Sequence, residues 1–201
     1  VVMAMDRIRR ASPNSQYDAA IARARAWIEG MQSSNGGWAA FDVANLEYYL
    51  NNIPFSDHGA LLDPPTEDVT ARCLSMLAQL GETAQTSKAV AEGVAYLRRT
   101  QLAEGSWYGR WGLNYIYGTW SVLCALNAAG VGHQDPTIRK AADWLLSIQN
   151  ADGGWGEDAT SYRLDYKGLE GAATTASQTA WALLGLMAAG EVGHSAVARG
   201  V

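Results

Sequence analysis

A chain of 201 residues, 48% of them hydrophobic, can bury a substantial core, and one domain is the expectation. The formal net charge of −5, with no basic stripe interleaved with aromatics, argues against nucleic-acid binding. The apolar stretches are too short to span a bilayer, and the opening "VVMAMDRIRR" is too short and wrongly ordered for a signal peptide.

In chain order, an apolar opening helix is followed by the polar linker "RRASPN". A pattern then appears that recurs twice. Gln32 to Trp38, Gln101 to Trp107 and Gln149 to Trp155 all read Gln-x3-Gly-x-Trp, with the glycine at Gly36, Gly105 and Gly153. Five residues before each glutamine stands an aromatic, Trp27, Tyr96 or Trp144. Downstream of each copy lies a second block in register, "TARCLSMLAQLG", "TWSVLCALNAAG" and "TAWALLGLMAAG". In all three blocks the fourth and seventh residues after threonine are apolar, and glycine closes the block at Gly81, Gly130 or Gly190. Internal repeats of this kind decide the fold before any local reading does.

Each unit reads as helix, turn, helix, over about 18–81, 88–130 and 137–190. The first helix has apolar residues at helical spacing, as in "AYLRRTQ" and "ADWLLSIQ", and glycine stops it. The second is rich in Ala and Leu and apolar nearly all round, so similar helices must flank it. No segment alternates in the manner of a strand. The chain is therefore expected to be all-α, and periodicity alone leaves open whether the hairpins form an open solenoid or close into an α/α barrel. Cys73 and Cys124 fall within apolar helical pattern and read as buried, reduced thiols. The connections between the motif tryptophan and the next threonine differ in length, and the longest, residues 39–69, is the first place to look for ligand contacts.

Metal chemistry finds no support in the spacing. His58, His133 and His194 stand in separate loops, and neither cysteine belongs to a Cys-x2-Cys pair. Of the two acidic pairs, Glu67-Asp68 follows Thr66 and reads as helix capping, with Asp68 kept as a possible site residue. Glu157-Asp158 reads as solvated loop. There is no nucleophile elbow, phosphate loop or dinucleotide fingerprint. Aromatics remain. Trp38, Trp107 and Trp155 recur with the repeat and are structural, whereas Phe41, Phe55, Trp111, Tyr115 and Tyr117 do not recur. They form either a packed turn between helices or a π-lined cavity whose ring faces stabilise positive charge. Gln149 is expected to brace backbone groups left open at a neighbouring helix end, with Trp155 packed on its amide.

The Gln-x3-Gly-x-Trp repeats, with "MQSSNGGW", "DPPTEDVTAR", "GSWYGRWGLNYIYGTW", "QNADGGWGED" and "SQTAWALLGL", resemble the QW motifs and flanking segments of the bacterial squalene–hopene cyclase family of triterpene cyclases, over the whole chain. The resemblance implies an incomplete α/α barrel as a single partial domain over 1–201, with QW motifs at the turns. It further implies an isomerase that protonates squalene and guides a carbocation cascade to hopene or hopanol, with no metal or cofactor. The family is peripherally attached to the cytoplasmic side of the bacterial inner membrane and usually homodimeric.

Carried over by position, Phe41, Trp111 and Tyr117 match pocket aromatics. Phe55 and Ser56 match the constriction through which substrate enters, and Asp68 and Arg72 match residues supporting the catalytic acid. Arg72 departs from the histidine found there in some relatives, and a permanent charge beside that acid would favour its ionised form. The family's Asp-x-Asp-Asp-Thr-Ala acid segment is expected just before Val1, because Val2 and Met5 fit the two apolar slots after a threonine. On that expectation the 201 residues alone are inactive and expose helix faces that favour self-association. Rival readings are another terpene cyclase and a non-catalytic helical-repeat binding module.

Overall fold

A computed structural model describes residues 1–12, 15–47, 49, 63–162, 168–169 and 171–201. Among them are eight α-helices and no strand. The helices are α1 (Val2–Ala11), α2 (Asp18–Gly30), α3 (Glu67–Gln79), α4 (Lys88–Thr100), α5 (Asn114–Ala128), α6 (Pro136–Ser147), α7 (Ala176–Ala188) and α8 (Ser195–Gly200). They form two layers. Helices α3, α5 and α7 lie side by side, with α5 in the middle, while α4, α6 and α8 pack behind them. This is the wall of an α/α barrel, with α3, α5 and α7 as its inner staves.

The two layers follow from composition. Helix α4 buries Val90, Val94, Tyr96 and Leu97 and turns its charged residues outward, as an amphipathic helix must. Helix α5 has neighbours on several sides and buries ten residues, from Asn114 through Leu126. The apolar slots after the repeat threonines account for much of the core: Leu74, Leu77, Leu123, Leu126 and Leu186 are fully buried. Each such leucine contributes about 1.5–3 kcal/mol of transfer free energy. Cys73 and Cys124 are free and part-buried, and burial pushes the Cys73 thiol up to about 12.

The three QW turns share one set of bonds. Nε2 of Gln32, Gln101 and Gln149 donates to the carbonyl of Gly36, Gly105 and Gly153 in its own turn. The same nitrogen donates to the carbonyl of Ala89, Thr137 and Ala196, each the second residue of the following outer helix. The brace expected of Gln149 is therefore present but differs in kind. It uses the spare lone pair of a carbonyl in the first turn, where the groups left open by the helix are amides. The motif indoles are buried, and their N–H groups donate to the carbonyls of Ile28, Leu97 and Leu145, each ten residues earlier.

The repeat threonine has its own task. Oγ1 of Thr70, Thr119 and Thr179 accepts the backbone N–H of Trp38, Trp107 and Trp155, at 2.9, 3.0 and 3.0 Å. That bond ties each turn to the start of the inner helix, which explains why threonine anchors the second block. The motif glycines adopt φ of 87°, 116° and 93°. A Cβ would meet the Glu92 carbonyl at 2.6 Å in place of Gly36 and the Lys140 carbonyl at 2.5 Å in place of Gly105, and at Gly153 it would strike the Arg199 carbonyl. Only glycine fits, on both conformational and steric grounds.

Candidate functional site

At one end of the inner layer, a pocket of about 370 Å³ is lined by Ala40, Phe41, Asp68, Val69, Arg72, Trp111 and Tyr117. The five described residues that the family resemblance carries over, Phe41, Asp68, Arg72, Trp111 and Tyr117, meet there. Tyr115, another aromatic outside the repeat, is instead buried in the core and does not line the pocket. Phe41 follows the first QW turn. Asp68 and Arg72 lie one turn apart on α3, Trp111 sits in the loop before α5, and Tyr117 is in the first turns of α5. Phe55 and Ser56 lie outside the described residues. The volume is in the range of small-molecule sites, and the lining is mostly apolar.

Hydrogen bonds hold this wall together across the chain. Asp68 is 1% exposed. Its Oδ2 accepts the backbone N–H of Trp111 at 2.7 Å, and Oδ1 accepts the Thr66 hydroxyl at 2.6 Å and the Val69 N–H at 3.0 Å. Thr66 therefore does not cap α3 as expected. It occupies the N-cap position, but its hydroxyl donates to Asp68 instead of accepting a helix amide. The carboxylate of Asp68 pins the loop that carries Trp111, whose indole meets Phe41 edge-on with ring centroids 5.8 Å apart.

Beside it, Asp63 bonds the Ala40 N–H at 3.2 Å and pairs with Arg110 at 2.6 Å, so the loops bearing Phe41 and Trp111 are joined twice. Burial pushes the Asp63 carboxyl up, while the Ala40 amide and the Arg110 charge pull against it. Gly112 completes the fit, because a Cβ there would strike the ring of Tyr117.

Glu157 is a correction to the sequence reading. Asp158 is exposed, but Glu157 is only 3% exposed. Its carboxylate accepts the backbone N–H groups of Asn114, Tyr115 and Ile116 at 2.9–3.0 Å. Those amides open α5, so the third QW turn supplies the cap of the helix that carries Tyr117. Burial raises the Glu157 carboxyl above its usual range, and the three amides oppose that shift.

Arg72 is exposed along the open side of the pocket. Its guanidinium carbon lies 4.6 Å from the ring centre of Trp120 and 5.9 Å from that of Tyr117. Trp120 stacks on Trp181 of α7, with centroids 5.7 Å apart and planes at 11°, and Tyr117 meets Trp181 edge-on at 5.2 Å. Sequence reasoning missed Asp63, Arg110, Trp120, Trp181 and Glu157. Trp120 and Trp181 could have been flagged as aromatics that fall outside the repeat. Asp63 and Arg110 carry no local signal. Among the described residues, no three His, Cys, Asp or Glu side chains are grouped to hold a metal ion.

Chemically, the pocket offers ring faces and a cation, and its one carboxylate, Asp68, has both oxygens taken by hydrogen bonds. Comparison with known proteins gives this geometry a family. The family model described as the squalene-hopene cyclase C-terminal domain matches residues 1–201. The chain is 81% identical to the squalene–hopene cyclase of Bradyrhizobium diazoefficiens over 201 residues, all of this chain and 30% of that protein. It is 47% identical to the squalene–hopene cyclase of Alicyclobacillus acidocaldarius, over all of this chain and 31% of that protein. It is 43% identical to the dammaradiene synthase of the fern Dryopteris crassirhizoma, over 95% of this chain and 30% of that protein. The chain thus spans about a third of the curated relatives it matches.

Proposed function

The chain belongs to the squalene–hopene cyclase family, and from that premise we propose that in the whole protein it forms part of the cavity wall along which squalene is cyclised to hopene or hopanol. The observation that carries the reading is the pocket itself. Phe41, Trp111 and Tyr117, with helices α3 and α4 between the first and the other two in sequence, line one mostly apolar concavity whose carboxylate, Asp68, has both oxygens taken by hydrogen bonds. Ring faces stabilise a passing carbocation through their quadrupoles and cannot trap it by forming a bond. Such a surface suits a substrate whose positive charge migrates. Residues 1–201 contain no Asp-x-Asp-Asp-Thr-Ala segment, so this stretch contributes walls and supporting charges, and an acid elsewhere in the whole protein would supply the proton.

Asp68 then acts by holding the Trp111 loop, and Arg72 by presenting a cation beside the acid. The same reading places Phe55 and Ser56 at the substrate entrance, and the whole protein as a homodimer on the cytoplasmic face of the bacterial inner membrane. No helix among the described residues is long and apolar enough to cross a membrane.

The test is product analysis of the full-length protein with squalene, oxidosqualene and geranylgeranyl diphosphate. Pentacyclic hydrocarbon and alcohol from squalene alone are expected. Turnover of either other substrate in preference to squalene would assign a different terpene cyclase, and no turnover of any would favour a binding module. Trp111→Leu and Tyr117→Leu should each lower kcat about 5- to 30-fold, the loss of one ring–cation contact of roughly 1–2 kcal/mol.

A further inference from the structure

Asp68 and Arg72 are four residues apart on α3, the spacing at which a carboxylate and a guanidinium ordinarily pair on a helix surface. No such pair forms. The carboxylate of Asp68 is taken by the Trp111 amide, the Thr66 hydroxyl and the Val69 amide. Among the described residues, Arg72 donates no hydrogen bond and makes no ion pair; its guanidinium instead faces Trp120 at 4.6 Å. A ring face attracts the cation without consuming its N–H donors, so the guanidinium keeps its hydrogen-bonding capacity for an oxygen acid on the open side of the pocket.

We propose that Trp120 is a positioning residue for Arg72: backed by Trp181, it seats the guanidinium at the pocket wall and keeps it out of the ion pair with Asp68. The backing is specific. Trp181 comes from α7 and stacks nearly parallel on Trp120, at 11°, so the seat spans three adjacent inner helices and cannot move with α3 alone. Tyr117, one turn before Trp120, adds a second ring within 5.9 Å of the same guanidinium. The inference deepens the cyclase reading and rests on it for what Arg72 serves.

The experiment replaces Trp120 in the full-length protein with mono-, di- and tetrafluorotryptophan, which weakens the ring's negative face while keeping its shape. Squalene kcat and the thermal midpoint are followed together. With Arg72 present, kcat should fall stepwise, roughly twofold per fluorine, with a parallel decline in melting temperature. In an Arg72→Leu background, or Arg72→Gln if that variant does not fold, both series should be flat. A flat series with Arg72 present overturns the proposal, as does an equal decline in both backgrounds. An unsubstituted protein that leaves squalene unchanged counts against the cyclase reading, and the melting series still decides whether the ring seats the guanidinium.

Discussion

Glu67 and Gly112 show how single side chains set the conditions under which the wall exists. Desolvation pushes the Glu67 carboxyl from 4.5 up to about 7, and the Asp68 charge adds to the shift, while a backbone amide and the Thr100 hydroxyl oppose it. A raised carboxyl binds its proton more tightly when folded. Its contribution to stability is therefore fully present below about pH 4.5 and is lost as pH rises through about 7. Glu67→Gln should flatten that window and stabilise the chain at pH 8 by on the order of 2–3 kcal/mol. Urea midpoints of both proteins at pH 4 and pH 8 check this, and an equal difference at the two values would show that Glu67 does not titrate there. Gly112→Ala is argued from space alone. The added Cβ meets the Tyr117 ring, so the loop or the ring must shift, at a cost of about 1–3 kcal/mol read from thermal melts. A melting temperature unchanged by the extra methyl group would mean that the loop yields freely.

Helices and turns are where most of the fold was legible. A threonine, two apolar slots and a closing glycine located α3, α5 and α7, because each letter has a local duty: an amide acceptor, two core contacts and a helix stop. What was not legible came from contacts across sequence. Nothing near Glu157 says that its carboxylate caps a helix about forty residues earlier, and nothing near Asp63 points to Arg110. The pocket aromatics stood out because they break the repeat, Asp68 as an acid at a helix start and again through family resemblance, and Arg72 through that resemblance alone. Trp120 went unread because its partner Trp181 lies two helices away. Glu157→Gln tests the cap, since an amide can accept from some of the three N–H groups but turns its own donor toward the others. Stability should fall by about 2–3 kcal/mol, with faster hydrogen exchange at Asn114, Tyr115 and Ile116. Exchange accelerated evenly over the whole chain would remove the case for a local cap. Trp155→Ala, at a buried indole of the third turn, should cost about 3–5 kcal/mol and, on the proposed function, leave the product of the full-length protein unchanged. A new product with unchanged melting would move that turn from brace to cavity wall.

A two-layer array of hairpins buries each inner helix only where another follows, so its uncovered faces behave unlike the rest. On α7, Leu184 and Met187 are 46% and 45% exposed, although the opposite side of the same helix, at Leu186 and Ala182, is fully buried. Val192, just beyond, is 61% exposed. Helix α5 shows what a covered inner helix looks like, with Leu123 and Leu126 both inaccessible between α3 and α7. The composition of α7 is as apolar as that of α5, so water is the wrong neighbour for its bare side. The polypeptide 1–201 prepared alone should therefore associate with itself, its weight-average mass in sedimentation rising with concentration. Leu184→Glu combined with Met187→Glu should return it toward the 21.5 kDa monomer without lowering its helix content, because neither side chain contributes to the buried core. If the unsubstituted polypeptide sediments as a monomer at every concentration, the bare side of α7 is tolerated by water, and the stability of the array rests within each hairpin more than between them.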